Sequence, residues 1–171
     1  MFIDINRIDI QGMTLQDKVA LDNQLLVEEE SYFLEETSYA IHFAREGAAI
    51  KAKGRIQTAV SLQCVNCLDN FKVAVDSTFD VMLFPAKRME TKNTPLTMDE
   101  MEYIFFEGDQ IDIDRLLAEQ INLFLPINPV CSPYCKGICP TCGINLNHET
   151  CQCKDKYKTN ELSGFLDKIK R

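Results

Sequence analysis

The fold is decided by residues 63–84, whose sequence is Gln63-Cys-Val-Asn-Cys-Leu-Asp-Asn-Phe-Lys-Val-Ala-Val-Asp-Ser-Thr-Phe-Asp-Val-Met-Leu-Phe84. From Phe71 onward, apolar residues alternate with polar ones, which is the period of a strand with one buried face. The pair Cys64 and Cys67 precedes this alternation and lies among polar residues, where a hairpin turn is expected. A turn is a poor place for core residues, so the spacing favours thiolate metal ligands.

The segments upstream of this stretch also have strand periodicity. Residues 37–45 alternate and end at the turn signal Glu46-Gly47, and residues 49–63 continue as extended chain around Gly54. Residues 2–10 alternate as well, with a phase slip at Asn6-Arg7 that suggests a bulge in a sheet strand. The first half of the chain is therefore predicted to be an antiparallel, strand-rich domain.

Downstream, one helix is predicted after a mobile loop. Residues 85–97 have no apolar periodicity, which is typical of a loop. We expect Asp114 to cap a helix that ends before Pro126. Its apolar face is predicted to pack on the sheet, because an α+β domain needs one cover for its sheet. The residues near helical spacing are Leu116, Leu117, Gln120, Ile121, Leu123 and Phe124.

A cysteine-rich segment follows the helix, with the sequence Cys131-Ser-Pro-Tyr-Cys-Lys-Gly-Ile-Cys-Pro-Thr-Cys-Gly143 and then Cys151-Gln-Cys153. The part from Cys139 to Gly143 has the form of a zinc knuckle, in which a tight turn aims two sulfurs at one metal. The sequence predicts a zinc-ribbon-like segment with metal ligands at Cys131, Cys135, Cys139, Cys142, Cys151 and Cys153, in addition to Cys64 and Cys67.

We expect these thiols to bind metal and not to form disulfides. Disulfide frameworks belong to short secreted chains, whereas this chain has 171 residues and its first residues do not form a secretory signal. A reducing, cytoplasmic compartment is therefore expected. Eight thiols supply two four-sulfur sites, or one site plus unmetallated thiols.

Charge and hydropathy indicate whether the chain binds nucleic acid broadly or spans a membrane. The formal net charge is −8, which argues against broad adhesion to nucleic acid, but the tail, residues 154–171, carries six basic and three acidic residues. Residues 1–153 thus hold a charge of −11, and any RNA contact is expected near the tail and the metal loops. No apolar run is long enough to span a membrane.

We predict two units, a strand-rich domain over residues 1–130 and a zinc-binding segment with a basic tail over residues 131–171.

The order of these motifs resembles the YceD family, also called large ribosomal RNA subunit accumulation protein. The resemblance rests on the two cysteine-rich stretches above together with Asp112-Ile-Asp114, residues 119–126 and Asn145-Leu-Asn147, and it covers the chain from about Gly54 onward. It implies a cytoplasmic, non-enzymatic protein that is needed for normal accumulation of large-subunit ribosomal RNA. The implied partner is ribosomal RNA or a ribosomal or assembly protein.

The resemblance also implies how the thiols divide, because some similar proteins have the upstream pair and the positions of Cys131 and Cys135 but lack the later cysteines. One zinc would then be held by Cys64, Cys67, Cys131 and Cys135, and a second by Cys139, Cys142, Cys151 and Cys153. Each set supplies four sulfurs, and the second closes over a short loop. The alternative is one zinc held by some other four of the six downstream cysteines, with the upstream pair free.

Two other functional classes stay open from the sequence. A zinc-ribbon nucleic-acid-binding module in transcription would need aromatic residues in the ribbon, where the sequence offers only Tyr134 and Tyr157. A thiol redox sensor would use Cys64 and Cys67, but a low thiol pKa is expected at a helix N-terminus and not between strands. No catalytic zinc is expected, because four thiolates leave no position for water. His148 is predicted to contact solvent or backbone, not metal.

Overall fold

The computed structural model describes residues 1–86 and 104–153. Most of the predicted mobile loop, residues 85–97, lies outside the described residues, and so does the basic tail over residues 154–171. The division of the chain at residue 130 stays a prediction.

A six-stranded sheet forms the body of the described chain. Its strands are β2 (Met13–Val19), β3 (Tyr32–Phe33), β4 (Thr37–Glu46), β5 (Ala49–Gln63), β6 (Asn70–Pro85) and β7 (Ile104–Phe106). The order is β2-β4-β5-β6-β7, and β3 pairs with β5 beyond the end of β4. The predicted antiparallel arrangement is confirmed for β2 to β6, whereas β7 pairs with β6 in parallel.

The long hairpin of β5 and β6 is the centre of this sheet, and the two strands pair from Ile50 opposite Leu83 to Gln63 opposite Asn70. Gly54 lies opposite Phe79, and a Cβ added at Gly54 would lie 2.7 Å from the Phe79 ring and 2.9 Å from the carbonyl oxygen of Ala40. The absent side chain leaves room for that ring, which explains a glycine in the middle of a strand.

Residues 2–10 do not form the single bulged strand that the alternation predicts. Only β1 (Phe2–Asp4) is extended, and it pairs with β8 (Gln110–Asp112) in a separate two-stranded sheet. The phase slip corresponds to a 3-10 turn at Ile5–Arg7, which begins where the Asp4 side chain accepts a hydrogen bond from the Asn6 N–H at 2.8 Å. Ile10 is 85% exposed, so its place in the alternation does not reflect burial.

The predicted helix is α1 (Ile113–Phe124), and it contacts β6 as expected of a cover for the sheet. The cap differs from the prediction: Asp112, and not Asp114, accepts hydrogen bonds from the N–H groups of Asp114 and Arg115 at 3.1 and 3.4 Å. Leu123 and Phe124 were predicted on the buried face but are exposed. The buried residues of the helix are Ile113, Leu116, Leu117, Ala118 and Ile121.

The buried core lies between the sheet and this helix. Its largest fully buried side chains include Ile41, Phe43, Ile50, Ile56, Leu62, Leu83, Leu117 and Ile121. Among the helices of residues 1–86 and 104–153, none has the length and apolar character to cross a membrane.

Candidate metal centre

The turn between β5 and β6 carries the first pair of cysteines, as the sequence predicts. The N–H of Cys64 donates to the carbonyl oxygen of Asp69 at 2.9 Å, which closes the turn. Cys64 and Cys67 are both buried, with 0% and 3% of their surface exposed. The turn therefore points two thiols inward, away from solvent, although it lies at the end of a hairpin.

The segment that follows α1 brings Cys131 and Cys135 close to Cys64 and Cys67. The N–H of Val65 donates to the carbonyl oxygen of Pro129 at 2.9 Å, which attaches the turn to this segment just before Cys131. The sulfur of Cys67 then lies 3.7 Å from that of Cys131, and the sulfur of Cys64 lies 3.8 Å from that of Cys135. We call Cys64, Cys67, Cys131 and Cys135 the first group.

The remaining four cysteines converge separately. The sulfur of Cys151 lies 3.3 Å from that of Cys139 and 3.4 Å from that of Cys142. This second group, which consists of Cys139, Cys142, Cys151 and Cys153, is more open than the first, because Cys142 and Cys153 are exposed. The structure thus brings together all eight predicted residues, in the division that the sequence resemblance implies.

The sulfur geometry fits a tetrahedral metal ion in both groups. In each group the four sulfur atoms all lie within 4.8 Å of one another. A zinc–sulfur bond of about 2.3 Å places the sulfurs of a tetrahedron about 3.8 Å apart, close to the distances in the first group. The second group is slightly tighter. All eight cysteines lie in the described residues and all are free thiols, at separations far beyond a disulfide bond of about 2.0 Å.

The two Cys-x-x-Cys turns share the same backbone hydrogen bonds and a left-handed residue directly after the second cysteine. The N–H of Leu68 donates to the carbonyl oxygen of Cys64 at 2.9 Å, and the N–H of Gly143 donates to that of Cys139 at 2.8 Å. The N–H of each first cysteine also donates to the carbonyl oxygen five residues on, at 2.9 and 2.7 Å. Leu68 and Gly143 both have left-handed backbones, with φ of 63° and 74°. Glycine accommodates this conformation easily, whereas leucine rarely adopts it.

Local hydrogen bonds lower the pKa of two thiols in the first group, Cys64 and Cys135, and of Cys139 in the second. Burial opposes the thiolate of Cys64, but the backbone N–H groups of Cys131, Cys67 and Asn66 outweigh burial and lower its pKa to about 6. The backbone N–H groups of Cys142 and Thr141 likewise lower the pKa of Cys139 to about 6. A thiolate is the form of cysteine that binds metal.

Other thiols in each group resist ionisation because of burial, neighbouring sulfurs or both. Burial and the neighbouring sulfur of Cys135 raise the pKa of Cys131 to about 12. The N–H of Cys153 favours the Cys151 thiolate, but the sulfurs of Cys139 and Cys142 outweigh it and raise the pKa to about 12. Negative charge thus accumulates unfavourably in each group, and a bound divalent cation would relieve that repulsion.

Backbone contacts join the two groups into one unit. The N–H of Ile138 donates to the carbonyl oxygen of Asn66 at 3.0 Å. Gly137 has a φ of 71°, and a Cβ added there would lie 3.1 Å from the same oxygen. The segment between Cys135 and Cys139 therefore lies directly against the turn that carries the first pair.

Polar side chains that the sequence did not identify as site residues strengthen this junction. Asn147 donates from Nδ2 to the sulfur of Cys135 at 3.4 Å, and it accepts from the Lys136 N–H at 2.8 Å. Asn145 donates to Asp69 at 2.8 Å. His148 contacts the Asp69 carboxylate, and so departs from the prediction of a solvent or backbone contact only. The sequence offered one signal for these contacts: Asn145 and Asn147 lie between the cysteines of the second group.

The chain belongs to the family of the large ribosomal RNA subunit accumulation protein YceD, whose model matches residues 52–167. It is 25% identical, over 68% of its length, to the chloroplastic large ribosomal RNA subunit accumulation protein YCED homolog 1 of Zea mays, and 24% identical, over 70%, to that of Arabidopsis thaliana. It is 26% identical, over 84% of its length, to an uncharacterized protein of Mycobacterium bovis. No solved structure matches the chain.

The chain spans about half the length of the curated relatives it matches. The alignments cover 48% of the maize protein, 44% of the Arabidopsis protein and 59% of the mycobacterial protein. The predicted family is confirmed by this match.

Proposed function

We propose that this member of the YceD family is a non-enzymatic, zinc-binding factor that supports the accumulation of large-subunit ribosomal RNA. The observation that carries the proposal is the family match over residues 52–167, which includes every cysteine of both groups. The proposed mode of action is binding to ribosomal RNA or to a ribosomal or assembly protein in the cytoplasm.

Zinc is the proposed metal because of the donor set. Four thiolates in tetrahedral arrangement are typical of zinc or of an iron–sulfur centre. Two separate sets of four, each with at least one thiol whose pKa is lowered, support two zinc ions per chain. Bound zinc would act as a structural ion, because four protein ligands fill its coordination shell and leave no position for a reacting water.

The first group gives the metal a defined structural role. Its ligands come from the β5–β6 turn and from the segment that follows α1, so a bound ion would connect parts of the chain that are more than sixty positions apart. Such a connection stabilises the folded state, because the ligands are not assembled in the unfolded chain. The second group closes locally, from Cys139 to Cys153, against the first.

The redox-sensor alternative gains no support from the geometry. Cys64 and Cys67 are buried in the β5–β6 turn, where the sulfur of Cys64 lies 3.8 Å from that of Cys135 and the sulfur of Cys67 lies 3.7 Å from that of Cys131. The expectation that no thiol between these strands would have a low pKa is wrong, since the pKa of Cys64 is about 6. A redox-active pair is nevertheless expected to be accessible to its partner thiol, and this pair is buried. The transcription-module alternative has no specific observation in its favour.

The test has a chemical arm and a cellular arm. Elemental analysis of protein purified without added metal is expected to give two zinc ions per chain and no iron. Depletion of the protein from its native cell is expected to lower large-subunit ribosomal RNA relative to small-subunit ribosomal RNA, and the wild-type chain should restore the ratio. An unchanged ratio would contradict the ribosomal role, whereas iron or zinc-free protein with a restored ratio would contradict only the metal.

A further inference from the structure

An open groove of about 460 Å³ is lined in part by the β5–β6 turn that carries Cys64 and Cys67 of the first group. Its apolar lining comes from Val27, Val65 and Leu68, which are 77%, 51% and 52% exposed. Pro129 also lines the groove and is buried. Exposed apolar residues are common singly, but three of them around one groove are typical of a binding surface.

The rim of this groove is acidic. Glu28, Glu29 and Glu30 line it and are all exposed. Within residues 1–86 and 104–153, no basic side chain forms an ion pair with any of the three, and no basic residue lines the groove. Three adjacent carboxylates without an ion-pair partner among the described residues favour a cationic ligand and oppose a polyanion such as RNA.

Both walls of the groove are held in place by hydrogen bonds. On one side, Asn122 of α1 accepts from the Val27 N–H at 3.2 Å and donates to the Leu25 carbonyl oxygen at 2.8 Å. On the other side, the Val65 N–H donates to Pro129 at 2.9 Å. A surface that is already ordered binds at a lower entropic cost than one that must first be ordered.

Leu68 is the unusual residue of the lining. Its backbone has a φ of 63°, whereas glycine stands at the equivalent position of the second turn. The conformation is disfavoured for leucine, and its side chain, 52% exposed, gains little burial in return. A strained backbone that holds an apolar side chain in solvent is consistent with a role in contact with another molecule.

We propose that this groove binds a protein segment in which lysine or arginine residues flank apolar ones. The apolar residues contact Val27, Val65 and Leu68, and the flanking cations pair with Glu28, Glu29 and Glu30. This inference rests on the proposed function, because proteins that bind ribosomal RNA carry such basic segments. It specifies the partner as a basic protein and not the RNA itself.

The experiment uses the full chain and an array of overlapping peptides that covers the large-subunit ribosomal proteins of its own cell, together with a peptide of residues 154–171. The tightest peptide is then labelled, and its affinity is measured by fluorescence anisotropy. We expect this peptide to have an apolar pair between cations, and to lose about tenfold in affinity when that pair is replaced by serine.

Two variants test the two parts of the groove. Leu68→Gly removes the apolar side chain while favouring the same backbone, so the turn should stay intact. A triple variant, Glu28→Gln, Glu29→Gln and Glu30→Gln, removes the charge without changing shape. Each is expected to weaken binding about tenfold. The matched controls, Leu123→Ala and the triple Glu35→Gln, Glu36→Gln and Glu107→Gln, lie at exposed positions outside the lining and should bind like the wild type.

Several results would overturn the proposal. If the groove variants and their controls bind the labelled peptide with equal affinity, the peptide does not bind in the groove. An array in which no ribosomal peptide binds, or in which the peptide of residues 154–171 binds most tightly, rejects a ribosomal protein as the occupant. A single-stranded RNA oligonucleotide that competes with the peptide and loses affinity in the Leu68→Gly variant would identify the groove as an RNA site.

The cellular assay separates this inference from the proposed function. If depletion lowers large-subunit ribosomal RNA and the groove variants restore it fully, the groove proposal is wrong and the ribosomal role stands. If depletion leaves the RNA unchanged while the peptide binds in the groove, the ribosomal role is wrong and the groove is still a site for basic protein segments.

Discussion

The Nε2 atom of His148 lies 2.7 Å from Oδ2 of Asp69. Asp69 closes the turn that carries the first cysteine pair, and His148 lies in the loop of the second group. The contact with His148, followed by one with Asn145, lowers the pKa of the Asp69 carboxyl. This polar contact, between residues 79 positions apart, thus joins the two cysteine groups, and we expect them to act as one unit.

Alanine at Gly137 should separate the two groups, and Gly143→Ala is the matched control. Both glycines have φ near 70°, so each substitution costs about 1–2 kcal/mol for the backbone alone. Only at Gly137 would the new Cβ also approach Asn66, at 3.1 Å, whereas nothing lies within 4 Å at Gly143. We expect a larger fall in the melting temperature for Gly137→Ala. Equal falls would show that the contact with Asn66 contributes nothing.

Loss of one ligand from the first group should destabilise the whole domain. Cys67→Ser removes a buried ligand that connects the β5–β6 turn to the segment after α1, and we expect it to lower the free energy of unfolding by about 3 kcal/mol or more. Cys142→Ser is the control, because its exposed sulfur belongs to the local group. Its effect on the unfolding of the sheet, measured by circular dichroism, should be clearly smaller.

Chelation should remove the metal ions in two phases. The second group has two exposed sulfurs, whereas two sulfurs of the first group are buried. A chromogenic chelator should therefore take about one zinc per chain quickly and the other slowly. The Cys142→Ser variant should lack the fast phase. A single phase in the wild type would contradict a difference in accessibility between the groups.

A pair remote from the cysteines predicts a pH dependence of stability. Arg55 on β5 donates two hydrogen bonds of 2.7 Å to Asp76 on β6. The Arg55 guanidinium, with Gln57, lowers the pKa of the Asp76 carboxyl in the folded state. Its stabilising contribution is therefore complete above the unfolded pKa of about 3.9 and is lost as the pH falls through the lower folded pKa.

The difference in unfolding free energy between the wild type and Asp76→Asn should accordingly be constant near neutral pH and shrink below about pH 4. The pair is exposed, so about 1 M salt should reduce the difference at neutral pH as well. A difference that does not change with pH would mean that the carboxylate charge is not involved.

Leu68→Gly should leave stability unchanged or raise it. Glycine relieves the cost of a left-handed backbone, about 1–2 kcal/mol, but loses about 0.5–1 kcal/mol through the greater freedom of the unfolded chain. Val65→Gly in the same turn is the control, since Leu68 is the one non-glycine residue with positive φ in the described part of the chain. Val65→Gly should lower the melting temperature. A large fall for Leu68→Gly would mean that its side chain stabilises the turn.

Periodicity predicted the elements whose burial is one-sided. Strands β4 and β6 and helix α1 were predicted close to their observed positions, because their apolar residues follow the period of the element. Strand β5 was also predicted, as extended chain, although residues 58–62 are all buried and do not alternate. The prediction of one strand over residues 2–10 was wrong. Ile10 is exposed, and the hydrogen bond that the Asp4 side chain accepts from the Asn6 N–H begins a 3-10 turn instead. The helix cap was placed two residues late because Asp112 and Asp114 are both competent caps, and only tertiary structure decides between them.

The cysteine positions, but not their surroundings, were evident from the sequence. Spacing identified all eight thiols, whereas the division into two groups depends on a turn meeting a segment more than sixty positions away. The contact of His148 with Asp69 could not be predicted, because it exists only after both groups have assembled. The groove was equally hidden, since its walls come from three separate parts of the chain.

The order of the ligands along the chain has a consequence for synthesis. When the ribosome has made residues 1–130, strands β2 to β6 are complete, but the first group has only two of its four sulfurs. If the first group binds zinc as proposed, all four ligands are available only after Cys135 has left the exit tunnel. A prematurely terminated chain would expose two unpaired thiols at the end of its longest hairpin, and zinc capture would distinguish finished molecules from fragments.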